Sequence, residues 1–174
     1  LIIYKTKKVG HAGTLDPAAA GVLPVFLGQS TRFIEYTTDT DKSYRAEATF
    51  GFETDTGDDT GKVISTSAVN MPTREKIVEV LNSFLGTIEQ TPPMYSAIKI
   101  AGRKMYELAR EGIIVELPAR KIVIHDIALV DMTAKGILFD VTCSKGTYIR
   151  SLCVDIGRKL EFPAVMSFLV RTRV

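Results

Sequence analysis

The chain contains no uninterrupted apolar run approaching the roughly 18 residues that a membrane-spanning helix requires. Its opening, Leu1 to Lys8, is too short to be a signal peptide with a cleavage site. Cys143 and Cys153 are the only cysteines, and neither their spacing nor a nearby histidine pair suggests zinc. They read as small buried thiols, and the expected location is the cytoplasm with no membrane association. Internal repeats, low-complexity segments and flexible linkers are also missing, which argues for one compact unit. Excess charge is scarce as well. Against 20 acidic residues stand 22 basic ones, a net +2, too little by itself to establish nucleic-acid binding.

What is present fits one well-cored domain: 174 residues, 45% of them hydrophobic. The charge is unevenly spread. Between Glu35 and Gly61 the stretch is strongly acidic, so positive charge concentrates elsewhere. It falls at Lys5, Lys7 and Lys8, at Lys99, Arg103, Lys104 and Arg110, and late in the chain at Lys145, Arg150, Arg158, Lys159, Arg171 and Arg173. If these converge they form a phosphate-binding face; scattered solvated charge is the plainer alternative.

Periodicity supplies the elements. Ser43 to Phe52 alternates Tyr44, Ala46, Ala48, Phe50 and Phe52 with polar residues, a half-buried strand. The apolar run Val22 to Leu27 reads as a core strand, and Asp55 to Gly61 as a solvated turn in preference to a calcium loop, since no glutamate follows at the required distance. Thr73 caps an expected helix with Ile77, Val78, Leu81, Phe84 and Leu85 inward, stopped by Gly86. A short helix is expected near Lys104 to Glu111. Strands are expected at Ile122 to Val130 and Ile137 to Cys143, a helix from about Tyr148 to Leu160, and a closing strand over Val165 to Val174. The class is α+β, with flanking helices on a mixed, largely antiparallel sheet.

The most informative stretch is Val9-Gly-His-Ala-Gly-Thr-Leu-Asp-Pro17. Two glycines permit tight backbone, and Pro17 holds Asp16 out of helical geometry. The carboxylate is thus presented on a rigid loop, as a nucleophile, as a base, or in an ordinary Asx-turn. Tyr44, in Lys42-Ser43-Tyr44-Arg45, offers either a core phenol or an aromatic face for a nucleobase. Thr91-Pro92-Pro93-Met94-Tyr95-Ser96-Ala97-Ile98-Lys99 and the following Gly102-Arg103-Lys104 segment read as a surface hairpin and helix. Cys143-Ser144-Lys145-Gly146-Thr147-Tyr148-Ile149-Arg150 is a strand-to-helix junction. An arginine in that first helical turn can pair with Asp16 and aim it, because a guanidinium fork matches a carboxylate. Leu169-Val170-Arg171 lies in the closing strand.

These segments, in this order, resemble the TruB family of tRNA pseudouridine synthases from about Lys7 to the C-terminus. The resemblance implies the pseudouridine synthase fold with a central RNA-binding cleft. It makes Asp16 the catalytic aspartate, Tyr148 the active-site tyrosine that handles the proton of the flipped base, and Arg150 the partner of Asp16. It gives Tyr44 a stacking role and Leu169 a packing role against the base, His11 an RNA or base-positioning contact, and Lys99, Arg103, Lys104 and Lys145 contacts to RNA. Residues 91–118 correspond to a thumb-like insertion. Two departures stand out. The family's Lys-Pro-x-Gly-x-Thr-Ser segment does not precede the basic stretch, and no C-terminal RNA-binding extension follows. The expectation is therefore a single catalytic domain over 1–174, incomplete at its N-terminus.

The implied activity is isomerisation of the T-loop uridine (position 55) of tRNA by base flipping and aspartate catalysis. The expected enzyme is monomeric, takes the tRNA T stem-loop as partner and uses no cofactor or metal. A module that binds or folds tRNA without modifying it is the rival reading. An aspartate-dependent glycosidase ranks lower, because no second carboxylate stands in a matching motif.

Overall fold

The structure is a computed structural model and describes residues 3–37, 39–96, 99–100, 102–113, 115 and 117–174; the side chains of 99, 100, 104, 106 and 110 lie outside that description. Along the chain the strands are β1 (Val9–His11), β2 (Ala20–Gly21), β3 (Val25–Leu27), β4 (Lys42–Phe50), β5 (Phe52–Thr54), β6 (Val63–Thr66) and β7 (Gly86–Gln90). Then come β8 (Lys99–Ile100), β9 (Arg103–Lys104), β10 (Arg120–Met132), β11 (Gly136–Cys143) and β12 (Ala164–Arg173). The helices are α1 (Ile34–Thr37), α2 (Arg74–Asn82), α3 (Met105–Arg110) and α4 (Ile149–Lys159). Among the described residues no helix is long and apolar enough to cross a membrane.

The alternation read from Ser43 onward produces β4, whose Tyr44, Ala46, Ala48 and Phe50 are buried while Arg45 on the other face is exposed. The strand ends at Gly51, where φ is +102°, so Phe52 belongs to a separate hairpin of β5 with β6. β4 lies inside a six-stranded sheet ordered β2-β12-β4-β11-β10-β7. Every pairing in it is antiparallel except that of β2 with β12. The expected mixed, largely antiparallel α+β architecture is the one observed.

One face of this sheet carries the core. α2 packs on β10, and α4 on β4 and β12, burying Ile77, Leu81, Leu152 and Ile156 against Ala46, Ala48, Phe139 and Met166. Each large aliphatic side chain buried in this way contributes roughly 1.5–3 kcal/mol. Both cysteines lie in the same core, and burial pushes the Cys143 thiol up to about 11 and raises that of Cys153 further, so both are inert thiols.

Two expectations need correction. On α2, capped by the Thr73 hydroxyl accepting from the Lys76 N–H (3.3 Å), the inward positions are Ile77, Val80, Leu81 and Phe84. That set follows the i, i+3, i+4, i+7 spacing of a helix, whereas Val78 and Leu85 point outward. The run Val22 to Leu27 is not a core strand. Pro24 cannot donate a ladder hydrogen bond and divides it. Val22 extends the edge beside β12, and β3 pairs only with β1, leaving Val22, Leu23 and Val25 exposed.

Candidate active site

Asp16 sits on a loop whose two ends are fastened by one strand. β2 runs parallel to β12 with Ala20 opposite Val170 and Gly21 opposite Arg171, and the Val22 N–H donates to the Arg171 carbonyl at 2.9 Å. The Arg171 side chain completes the attachment. Its guanidinium is 1% exposed, donating from Nε to the Val22 carbonyl and from Nη2 to the Gly13 carbonyl, both at 2.8 Å. Within the loop the Ala19 N–H donates to the Asp16 carbonyl at 2.9 Å, closing a turn around Pro17. Arg171 was grouped by sequence with surface charge; it is a buried clamp instead. The signal for it was available, because Arg171 is in period-two phase with buried Leu169.

The close approach explains Gly21. Its φ is +113°, and a Cβ there would lie 2.1 Å from the Arg171 carbonyl oxygen. Gly21→Ala therefore combines left-handed strain with a backbone collision. We expect it to lower stability by about 2 kcal/mol or more, read as a fall in thermal midpoint.

Arg150 reaches the loop from the first turn of α4. Its side chain is 7% exposed, against 37% for Asp16, with Nε 2.9 Å from Asp16 Oδ2 and Nη2 3.5 Å from Oδ1. The Nε–H is not aligned for a hydrogen bond, so this is an ion pair more than a bidentate fork. The stronger directional bonds go to backbone: Nη1 to the Thr56 carbonyl (3.0 Å) and Nη2 to the Tyr95 carbonyl (2.8 Å). The sequence-derived pair of Asp16 and Arg150 is present, but the arginine also organises two other segments.

One of those segments is the turn read as solvated. Asp58 is half-buried there, with Oδ2 3.8 Å from Arg150 Nη1. Its Oδ1 accepts from the Thr56 hydroxyl (2.8 Å), the Thr60 hydroxyl (2.6 Å) and the Thr60 N–H (3.1 Å). Burial pushes this carboxyl upward. The hydrogen bonds from Thr60 and Thr56, together with the Arg150 charge, outweigh burial, so it titrates below the ordinary aspartate range. A second carboxylate thus does stand near Asp16's partner, yet as a tied-down acceptor it is the opposite of the raised-pKa acid a glycosidase needs.

The sign of the pH effect follows. A depressed folded-state pKa contributes stability that is present above the unfolded value, near 4, and lost as pH falls through the folded value. Asp58→Asn should therefore lower the thermal midpoint most above about pH 5, with the gap to wild type closing below about pH 4.

Tyr44 and Leu169 lie on the same face of β4 and β12, with Leu169 opposite Ala46 and Arg171 opposite Tyr44. Burial raises the Tyr44 phenol above its usual range, and the adjacent Arg171 guanidinium only partly offsets this, so the ring stays neutral. Tyr148 is half-buried at the N-cap of α4, with the Arg120 guanidinium 5.9 Å from its ring centre. Its backbone is gripped by Gln90, which sequence reading passed over: the Tyr148 N–H donates to Gln90 Oε1 (2.8 Å) and Gln90 Nε2 donates to the Tyr148 carbonyl (3.0 Å). A lone polar residue ending a strand carried no pattern to mark it.

The remaining candidates are less gathered. His11 is exposed on β1. Arg103 is ion-paired with Glu111, Lys145 with Asp39 (2.8 Å) and Arg158 with Glu53 (3.1 Å), so these charges are locally balanced. Lys5, Lys7 and Lys8 are exposed ahead of β1. Lys99 and Lys104 belong by backbone to the β8–β9 hairpin, and their side chains lie outside the described residues. A cavity of about 280 Å³ touches Arg150 and is bordered by Glu53, Glu89 and Asp155, without Asp16. Arg150 and Arg158 line it as well and offset part of that acidic border. No cluster able to hold a metal ion occurs among the described residues.

Comparison with known proteins gives the family. Residues 2–149 fit the family model described as TruB family pseudouridylate synthase (N terminal domain). The tRNA pseudouridine synthase B of Caldanaerobacter subterraneus subsp. tengcongensis is 53% identical over 173 residues, covering 99% of this chain and 61% of that protein. That of Bacillus subtilis is 53% identical over 176 residues, covering 98% and 57%. The chain therefore spans somewhat over half the length of these relatives. Among solved structures, a Cbf5-Nop10-Gar1 complex superposes with a TM-score of 0.73 at 32% identity, covering 99% of this chain and 42% of the matched one. An H/ACA RNP bound to a substrate RNA containing 2'-deoxyuridine does so with 0.69 at 30%, covering 99% and 40%.

Proposed function

The chain belongs to the TruB family of pseudouridylate synthases, and from that premise we propose that it isomerises the T-loop uridine of tRNA to pseudouridine. The observation that carries the proposal is the pairing of a partly exposed carboxylate, Asp16, with a buried guanidinium, Arg150, on a loop clamped at both ends by Arg171. A nucleophile needs access to substrate on one side and fixed geometry on the other. Asp16 has both.

The reaction breaks the N1–C1′ glycosidic bond, rotates the uracil, and joins C5 to C1′. The C5 proton is lost and N1 gains one, so the balance is redox-neutral and asks for no cofactor. Asp16 supplies the nucleophile for a covalent intermediate. Tyr44 offers a neutral ring for the extruded base, a contact worth about 1–3 kcal/mol, with Leu169 packed next to it on the same sheet face. Tyr148 handles the C5 proton, directly or through water. A uridine within a folded RNA loop reaches Asp16 only when flipped out.

The hairpin of β8 and β9 with α3 acts as the thumb within residues 91–118, bringing Lys99, Arg103 and Lys104 to the RNA. Lys145 and His11 contact the same loop. Relatives named tRNA pseudouridine synthase B, and a structural neighbour holding a substrate RNA, support RNA as the partner. The enzyme acts as a cytoplasmic monomer. Incubation with a T-stem-loop transcript, followed by chemical mapping of pseudouridine, tests the proposal. Binding without product identifies a tRNA-binding module and overturns the enzymatic reading.

A further inference from the structure

The structure assigns Gln90 as a positioning residue for the reaction: its side-chain amide fixes the start of α4, and through it the register of Arg150 and Tyr148 against Asp16. The inference rests on the functional reading above and adds a residue that touches neither Asp16 nor substrate.

Gln90 is the last residue of β7 and is 1% exposed. A primary amide buried that deeply needs partners for both its oxygen and its NH2 group. It finds both in one residue, giving to the Tyr148 carbonyl (3.0 Å) and receiving from the Tyr148 N–H (2.8 Å). The arrangement imitates a two-bond strand bridge between β7 and a residue that belongs to no strand. Tyr148 is the N-cap of α4, and its own side chain makes no capping hydrogen bond. The Tyr148 carbonyl also takes the first helical bond from the Leu152 N–H (3.0 Å), so the amide grips the peptide from which the helix starts.

Two residues later comes Arg150, whose guanidinium must meet Asp16, the Thr56 carbonyl and the Tyr95 carbonyl at once. These demands are compatible only if the first turn of α4 starts at one height. A shift of an ångström moves Arg150 off Asp16, and such misplacement can cost about 10²-fold in rate. The segment after Gln90 is stitched to the same turn by a second bond, from the Ser151 hydroxyl to the Thr91 carbonyl (2.9 Å). That bond is solvent-exposed and grips no cap residue. It therefore serves as the comparison for mere attachment of the two segments.

The test uses Q90M, which keeps the length and loses both hydrogen bonds, alongside S151A. Single-turnover pseudouridine formation and Kd are measured separately on a T-stem-loop RNA, and the Arg150 Nε–H resonance is followed by 15N NMR. Expected for Q90M are a retained cooperative melt, a Kd within about twofold of wild type, a single-turnover rate lowered roughly tenfold or more, and a displaced Arg150 signal. S151A should match wild type in all of these. Q90N keeps an amide but is one methylene shorter, so it stays uncharged and reaches Tyr148 less well; it should give a smaller loss in the same direction and replaces Q90M if that variant does not fold. An unchanged rate in Q90M, a loss confined to Kd, or an equal loss in S151A overturns the proposal. A wild type that binds RNA and forms no pseudouridine overturns the functional reading instead, and the Arg150 resonance then still decides whether Gln90 positions Arg150.

Discussion

Asp16→Asn should remove pseudouridine formation, by more than about a thousandfold, while the T stem-loop should still bind. The amide is nearly the same size as the carboxylate and retains one oxygen, so the loop keeps its shape. What disappears is nucleophilicity, since an amide oxygen does not form the covalent intermediate that splits the isomerisation into two steps. The variant should also be close to wild type in thermal midpoint. Asp16 is more than one-third exposed, and an ion pair reached by water contributes little to folding. Fluorescence binding, chemical mapping of pseudouridine and calorimetry on one preparation read all three. Residual turnover near the wild-type rate would mean that Asp16 is not the nucleophile.

Arg150→Met should behave differently, losing stability and activity together. The guanidinium is buried and serves two carbonyls, Asp16 and Asp58, so its removal leaves the Thr56 and Tyr95 carbonyls without that donor and the half-buried Asp58 without its cation. Breaking such a buried arrangement from one side typically costs about 3–5 kcal/mol. For a chain of this length that is a fall in thermal midpoint of roughly 6–20 °C. The rate should drop by at least about a hundredfold, because Asp16 loses the group that aims it. Arg150→Lys should recover part of the stability and little of the activity. An ammonium donates from a single nitrogen and cannot reach partners spread around a guanidinium, although it restores the charge near Asp58. The double variant D16N/R150M should be no less stable than R150M alone, since it removes a carboxylate already deprived of its partner. A stable, active Arg150→Met would show that the helix register, and not this side chain, orders the loop.

Much of the fold was legible locally. The alternation at Tyr44, Ala46 and Ala48 and the helical spacing after Thr73 are patterns in which each residue's neighbours carry the signal, and β4 and α2 formed where those patterns lie. The helix expected from Tyr148 to Leu160 formed as α4, with Ile149, Leu152, Cys153, Ile156 and Leu160 buried at the spacing of one helical face. Where the reading failed, a local pattern met a non-local fact. The apolar run at Val22 looked like core because hydrophobicity was the only evidence available. Whether it is covered depends on what packs on it, and β3 pairs with nothing but β1. Val78 was placed on the wrong side of α2 by one helical step, an error that periodicity itself could have prevented.

In the candidate site the division is sharper. The glycine-rich loop, Asp16, Tyr44, Tyr148 and Arg150 stood out as candidates by residue type and order, because chemistry needs particular side chains and short spacings preserve them. The pairing of Asp16 with Arg150 spans 134 positions and was still foreseeable, since opposite charges in two such motifs suggest each other. For Arg171 burial alone was foreseeable, from its phase with Leu169; the partners of Arg171, Asp58 and Gln90 were not. Each is a polar residue whose meaning comes from a distant backbone group or guanidinium: Arg171 meets the Gly13 carbonyl from 158 positions away, and Gln90 meets Tyr148 from 58.

From the sequence alone came most of the elements, their class and the candidate loop that carries Asp16, all written in short-range pattern. Which charges are buried, and what holds that loop to the sheet, was decided by the tertiary structure. A charged or amide side chain reads the same on a surface and in a core until chain segments far apart in sequence close around it and remove the water.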